Sequence, residues 1–353
     1  MADDSSTSHR RDPIKSSGKE RRESLVRAKR LCRVGATGDG DVPVEENDML
    51  TDKAGFLLDA QTSSSEFPPV EAALKAGAIP LLVQCLSFGS PDEQLLEAAW
   101  DEEVATEVAW VVVYLSALSN FATGVLVKSD VLHLLVERLA TSNSLQLLIP
   151  VLRSLGNLVA GDSHTTSTIL VPGHEITDGV IKVLVKCLKS DHRVLKKEAS
   201  WVLSNIAAGS IEHKQMIYSS EAVALLLRLL STAPFDIRKE VAYVLGNLCV
   251  APTVGEGKPN LVEDHLVSLV QGGCLSGFID LVRSADIEAA RLGLQFTELV
   301  LRGIPNGDGP KLVEQEDGID AMERYQFHEN EDLRNMANGL VDKYFGEDYG
   351  IDE

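Results

Sequence analysis

The chain has 353 residues and a formal net charge of −20, with five cysteines and only 5% aromatic residues. That length buries a core without disulfides or metals, and Cys32, Cys85, Cys187, Cys249 and Cys274 stand singly with no C-x-x-C, which excludes a disulfide scaffold and a zinc finger and points to a reduced, intracellular protein. No run approaches the ~18 apolar residues of a membrane span, and the polar N-terminus lacks an apolar h-region, so neither membrane insertion nor secretion is expected.

Residues 1–34 read as a basic arm carrying Arg10, Arg11, Lys15, Lys19, Arg21, Arg22, Arg27, Lys29, Arg30 and Arg33. Up to Gly35 these ten cations face five acids and leave +5, so the remainder carries −25. A basic arm on an acidic body suggests binding to an acidic partner or back onto the body itself. The same sign argues against the body as a nucleic-acid surface. Residues 35–65, rich in Gly, Asp, Ser and Thr, read as a flexible linker.

From about Glu66 the chain changes to Leu, Val, Ile and Ala at helical spacing, and β-hairpin signals are missing. The body is therefore expected to be all-α. It is also repetitive. Aligned on ASWVLSNIAAG (199–209), the segments VAWVVVYLSAL (108–118), PVLRSLGNLVAG (150–161), VAYVLGNLCVA (241–251) and AARLGLQFTEL (289–299) place one position at Trp110, Arg153, Trp201, Tyr243 and Arg291. The intervals are 43, 48, 42 and 48 residues, which suits an α-solenoid of armadillo or HEAT units. A second helix precedes each of several such segments, as in GAIPLLVQCL (77–86), DGVIKVLVKCL (178–188), EAVALLLRLL (221–230) and GGCLSGFIDLV (272–282). A third helix per unit is inferred rather than read. The solenoid is expected over 66–346, with 347–353 an acidic tail.

Against that period, two equivalent tetrads, EAAW at 97–100 and EVAW at 107–110, stand only ten residues apart. The crowding reads as a junction near 100/101 where intervening repeats are missing. Trp100 is followed at the fourth residue by Val104, where its counterparts carry Asn.

On the helical wheel of 198–206, Ala199, Val202, Leu203 and Ile206 form the core side, and Glu198, Trp201 and Asn205 form another face about 115° away. The second face is expected to be an exposed row. Asn can donate to and accept from an extended peptide backbone, aromatic rings can sandwich Lys or Arg stems, and a Glu three residues earlier can receive the charge. Glu97, Glu107, Glu198 and Glu240 all stand three residues before an aromatic. The alternative is edge-of-core packing for the aromatics, with Asn bridging neighbouring helices.

Catalytic signals are weak. GEGKP at 255–259 lacks P-loop spacing, GATGDGD at 35–41 has no strand before it, and there is no H-E-x-x-H among eight histidines. No enzyme, cofactor or metal is expected.

The paired ASWVLSNIAAG and VAYVLGNLCVA segments, the LRSLGN variant with Arg153 in the aromatic position, YLS at 114–116 and the arm RRDPIKSSGKERRESLVRAKRLCR resemble importin subunit alpha, closest to a divergent plant member. The resemblance implies a right-handed α-solenoid of armadillo repeats with a basic N-terminal arm that binds importin-beta and, when unbound, lies in the groove as an autoinhibitor. It implies a groove for basic nuclear-localisation signals formed by Glu198, Trp201 and Asn205, then Glu240, Tyr243 and Asn247, with Arg153 and Asn157 between two sites and Glu107, Trp110 and Tyr114 just past the major one. Tyr243 stands where Trp is usual, which weakens that slot. The implied function is a nuclear import adaptor shuttling between cytoplasm and nucleus, with cargo proteins, importin-beta and a recycling export factor as partners. The alternative is a non-transporting scaffold or regulatory short form lacking the major site. The first repeat also lacks its usual preceding helices, so an incomplete N-terminal cap over 70–100 is expected.

Overall fold

A computed structural model describes residues 77–80, 83, 97–118, 120–160, 166, 175–251 and 259–346. The basic arm, the linker with its GATGDGD segment, all of GEGKP but its proline, and the acidic tail lie outside the described residues, as does most of the stretch expected to form an incomplete cap.

The described residues are helical, with no strand among them. The helices are α1 (Glu97–Leu118), α2 (Asn120–Val127), α3 (Val131–Thr141), α4 (Leu145–Val159), α5 (Glu175–Lys189), α6 (Arg193–Ala207), α7 (Ile211–Tyr218), α8 (Ala222–Thr232) and α9 (Phe235–Leu248). They continue with α10 (Pro259–Gln271), α11 (Cys274–Val282), α12 (Ile287–Gly303), α13 (Gly309–Gln315), α14 (Gly318–Glu323) and α15 (Glu331–Phe345). None is a single helix long and apolar enough to cross a membrane.

Two rows organise the stack. Helices α1, α4, α6, α9, α12 and α15 pack successively on one another, and α3, α5, α8, α11 and α14 form a second row against them. The fold is thus the expected α-solenoid, in which each unit contacts its neighbours and core residues run continuously through the interfaces. At one such contact Phe278 of α11 and Phe296 of α12 stack with centroids 3.7 Å apart. Gly293 permits this approach, because a Cβ there would stand 2.7 Å from Phe278 O.

The inferred third helix is present as α2, α7, α10 and α13, each leading a unit. In α7 its start is fixed by a capping box, in which Ser210 Oγ accepts from His213 N and His213 Nδ1 accepts from Ser210 N. Its inner face carries Lys214, which is 2% exposed. The Lys214 Nζ donates to Ala207 O and Asn247 O, at 2.6 Å each. Those carbonyls close α6 and α9, where helix-end acceptors and the helix dipoles favour a cation.

A sixth frame continues the series. Glu331, Arg334 and Asn338 on α15 repeat the spacing of Glu198, Trp201 and Asn205, and Arg334 follows Arg291 by one more period. Helix α1 differs from its row: it has 22 residues, against 14 in α9 and 17 in α12.

Five ion pairs among the described residues tie the units together in one sense. Arg153 bonds Glu198, Arg193 bonds Asp236, Arg238 bonds Asp280, Lys239 bonds Asp286 and Arg291 bonds Asp332, the acid following by 45, 43, 42, 47 and 41 residues. In each pair the cation belongs to the earlier unit and the acid to the later one.

Candidate peptide-binding groove

The amide positions come first because their geometry is regular. Asn157 Nδ2 donates to Val113 O at 3.1 Å, Asn205 Nδ2 to Gly156 O at 3.1 Å, and Asn247 Nδ2 to Ser204 O at 3.0 Å. Each acceptor is the residue three after the aromatic-slot position of the preceding unit. Asn157 Nδ2 also reaches Ser116 Oγ at 3.2 Å. The amides therefore stitch the first row together through one donor, as the bridging alternative anticipates, while the Asn247 Oδ1 acceptor has no hydrogen-bond partner.

The expectation of an exposed row is corrected here. Glu198, Trp201 and Asn205 are each 4% exposed, and Asn157, Tyr243 and Asn247 are buried as well. Only Glu107 of the proposed set is exposed; Trp110, Tyr114, Arg153 and Glu240 are half-buried. The physical reason is that a helix inside a solenoid meets a unit on each side as well as its own, so the face left outside is narrower than a single-helix wheel suggests. Trp201 illustrates this: its six-membered ring lies against Gly156, where a Cβ would stand 1.6 Å from Cζ3.

Arg153 joins three units. Its guanidinium bonds Glu198 from both Nε (2.9 Å) and Nη2 (2.8 Å), and its Cζ sits 5.6 Å from the Trp110 ring centroid. Trp110 in turn stacks on Tyr114 at 6.1 Å. Glu198 thus pairs backward with Arg153, although it stands three residues before Trp201. A cation of the chain itself lies over Trp110.

The same backward register operates one slot further on. Tyr243 hydroxyl donates to Glu288, 45 residues later, and Lys239 Nζ lies 2.6 Å from Glu288 and 3.0 Å from both oxygens of Asp286. Burial works against the Lys239 charge, but the hydrogen bonds and charges of Glu288 and Asp286 prevail and hold its pKa above the ordinary value. Burial likewise opposes ionisation of Asp286, and the bond from Ala289 N with the Lys239 ammonium still holds its carboxyl below the usual range. The sequence reading missed Glu288 because Arg291, three residues later, is not aromatic; the acid itself is in register.

No group of three or more His, Cys, Asp or Glu among the described residues is arranged to hold a metal. Cys187, Cys249 and Cys274 are buried free thiols, and burial pushes Cys187 up to about 11 and Cys249 up to about 12, the opposite of an activated nucleophile.

The comparisons agree with this architecture. The armadillo/beta-catenin-like repeat model matches residues 67–100, 176–208 and 210–250. A designed armadillo repeat protein, solved in complex with the peptide (KR)4, superposes with a TM-score of 0.59 at 21% identity over 75% of this chain and 99% of its own. The architecture is that of an armadillo-repeat solenoid. The chain is 50% identical to importin subunit alpha-9 of Arabidopsis thaliana, over 100% of both chains, and 43% identical to importin subunit alpha-2 of Oryza sativa subsp. japonica, over 98% of this chain and 94% of that one. It belongs to the importin alpha subunit family, a family of transport adaptors rather than enzymes. The Arabidopsis alignment runs over 519 positions; subtracting the 353 residues of this chain leaves 166 with no residue here. That is the length of about four armadillo units.

Proposed function

We propose that this chain is a nuclear import adaptor that holds basic nuclear-localisation signals along its first row of helices and links them to importin-beta through the arm at 1–34. The observation that carries the reading is the common register of Asn157, Asn205 and Asn247 beside Trp110, Trp201 and Tyr243, with Glu198, Glu240 and Glu288 interleaved. Amide, aromatic and acid at one period can meet the backbone, stems and charges of an extended basic peptide. The (KR)4 peptide bound by the designed armadillo protein is of the same chemistry. In this reading the protein shuttles between cytoplasm and nucleus, an export factor recycles it, and nucleic acid is not a ligand.

The test is an anisotropy titration with a labelled basic signal peptide. Trp201→Ala with Asn205→Ala abolishes binding while circular dichroism shows the helices intact; unchanged affinity removes the assignment of the groove. Deleting 1–34 removes importin-beta from a pull-down, and retention refutes the role of the arm.

A second reading, a regulatory short form without the major signal site, is favoured by three observations near Trp100. The first armadillo match stops at that residue, α1 runs on through it to Leu118, and the aligned relative is longer by about four units. In this reading the missing repeats fall at about 100/101. Comparing peptides with one and with two basic clusters separates the readings: a full adaptor binds both tightly, whereas the short form binds the single cluster weakly.

A further inference from the structure

The acid that serves the Tyr243 slot is open to identification from the side chains around it. Glu240 precedes Tyr243 on the same helix, yet the hydroxyl of Tyr243 is bonded to Glu288 on α12. That bond fixes one carboxylate oxygen beside the ring. Lys239, one turn before Tyr243 on α9, holds Glu288 and Asp286 together and is itself mostly buried, with 19% of its side chain exposed. Its two acids are not equivalent. Asp286 is anchored as the N-cap of α12, accepting from Ala289 N at 2.8 Å, while Glu288 sits in the first turn with a longer side chain.

We propose that Glu288 is the residue that receives the cationic head of a peptide lysine or arginine at the Tyr243 slot, and that Lys239 is its resident competitor. The inference rests on the groove reading given above and adds to it the acid and the competitor. The exchange is permitted because Lys239 does not become an unpaired buried charge: on giving up Glu288 it keeps Asp286, which the helix terminus holds in place. Glu288 keeps the Tyr243 hydroxyl throughout, so the receiving carboxylate is already oriented when the peptide arrives. The Tyr243 ring then lies beside the aliphatic stem of the incoming side chain. The slot around Arg153 lacks this arrangement, since among the described residues Arg153 has Glu198 as its one acid partner and releasing it would leave a guanidinium without its carboxylate. The late slot is therefore the place where an added cation can be taken up by exchange.

The experiment uses the full chain and a fluorescein-labelled peptide of alternating lysine and arginine, titrated by anisotropy. Lys239→Gln tightens binding about threefold to tenfold, and Glu288→Gln weakens it by a similar factor. In the Glu288→Gln background, Lys239→Gln brings no gain, because the competition has lost its object. Lys311→Gln, which removes the same charge from an exposed site, leaves affinity within about twofold and separates local exchange from long-range attraction. Tyr243→Phe keeps the ring, loses the hydroxyl and weakens binding, so the assignment does not hang on the lysine variant folding. If Trp201→Ala with Asn205→Ala abolishes binding while Lys239→Gln, Glu288→Gln and Tyr243→Phe all leave it unchanged, this proposal is overturned and the groove stands. If none of these variants changes affinity, both are overturned.

Discussion

The six-membered ring of Trp201 fills the space that Gly156, one unit earlier, leaves by having no side chain, so close that a Cβ at 156 would lie 1.6 Å from Cζ3. A slot residue is thereby built into the contact between α4 and α6. Gly156→Ala gains about 1 kcal/mol of helix propensity, but the overlap forces Trp201 out of its place, and overpacking of this kind costs about 1–3 kcal/mol. The expected outcome is a net loss of up to about 2 kcal/mol in urea unfolding, with a red-shifted tryptophan emission. An unshifted spectrum and unchanged midpoint would show that the ring does not depend on the glycine.

Arg153 and Glu198 give a second prediction. Glu198 has only 5% of its side chain exposed, so Arg153→Ala takes a two-pronged cation partner away from a buried carboxylate. One-sided removal from a buried pair costs about 3–5 kcal/mol; because Arg153 is about one-third exposed, the expected loss is nearer 2 kcal/mol. The double variant Arg153→Ala with Glu198→Gln recovers most of it. Failure of the second substitution to restore the denaturation midpoint would show that the pair is not the cause.

Lys214 gives a third. Its Nζ is shared by Ala207 O and Asn247 O, so Lys214→Met fills the same volume but removes the ammonium from Ala207 O and leaves Asn247 O with the Val250 N–H at 3.4 Å. The lost bond at Ala207 O costs about 1–3 kcal/mol, partly offset because a charge no longer has to be desolvated. The variant is expected to unfold at lower urea than the wild type and to lose amide protection first in α7. Equal or higher stability would mean that the desolvation of the ammonium outweighs its two bonds.

The fourth concerns pH. Asp286 titrates below its ordinary value of 3.8: burial pushes it up, but the Ala289 amide and the Lys239 ammonium outweigh that. A carboxyl with a depressed folded value adds stability above the unfolded value, and this is lost as pH falls through the folded one. Asp286→Asn keeps a competent N-cap while removing the titration. The stability gap between wild type and variant should therefore be widest near neutral pH and close as pH falls below about 3.8. Denaturant midpoints measured from pH 6 to pH 3 check this, and a gap independent of pH would contradict it.

Much of this was legible beforehand, and the omissions have physical causes. The period and the two longer helices of each unit follow from apolar spacing alone, because those helices bury a wide stripe. Helix α7 is short and polar in sequence (IEHKQMIY), held by a capping box and by a buried lysine that counts as surface-like in any pattern. The unit ending in α15 was overlooked because its helix is polar and charged in sequence (EDLRNMANGLVDKYF), with little of the apolar pattern shared by the other segments. The burial of Glu198, Trp201 and Asn205 was not legible, since a wheel describes one helix and their cover comes partly from its neighbours. Glu288 was hidden for a related reason: its partner Tyr243 lies 45 residues away on the preceding unit, a contact that spacing within one helix does not express.

The one-way sense of the ion pairs has a consequence for how such a chain can change length. The units of α6, α9 and α12 each offer a cation to the successor and an acid to the predecessor, like wagons that carry the hook at one end and the ring at the other. Taking out whole wagons leaves hook facing ring at the new join, so the remaining train still couples. Turning one round would set like against like. A solenoid coupled in this way tolerates the loss or gain of complete units much better than a cut made out of phase.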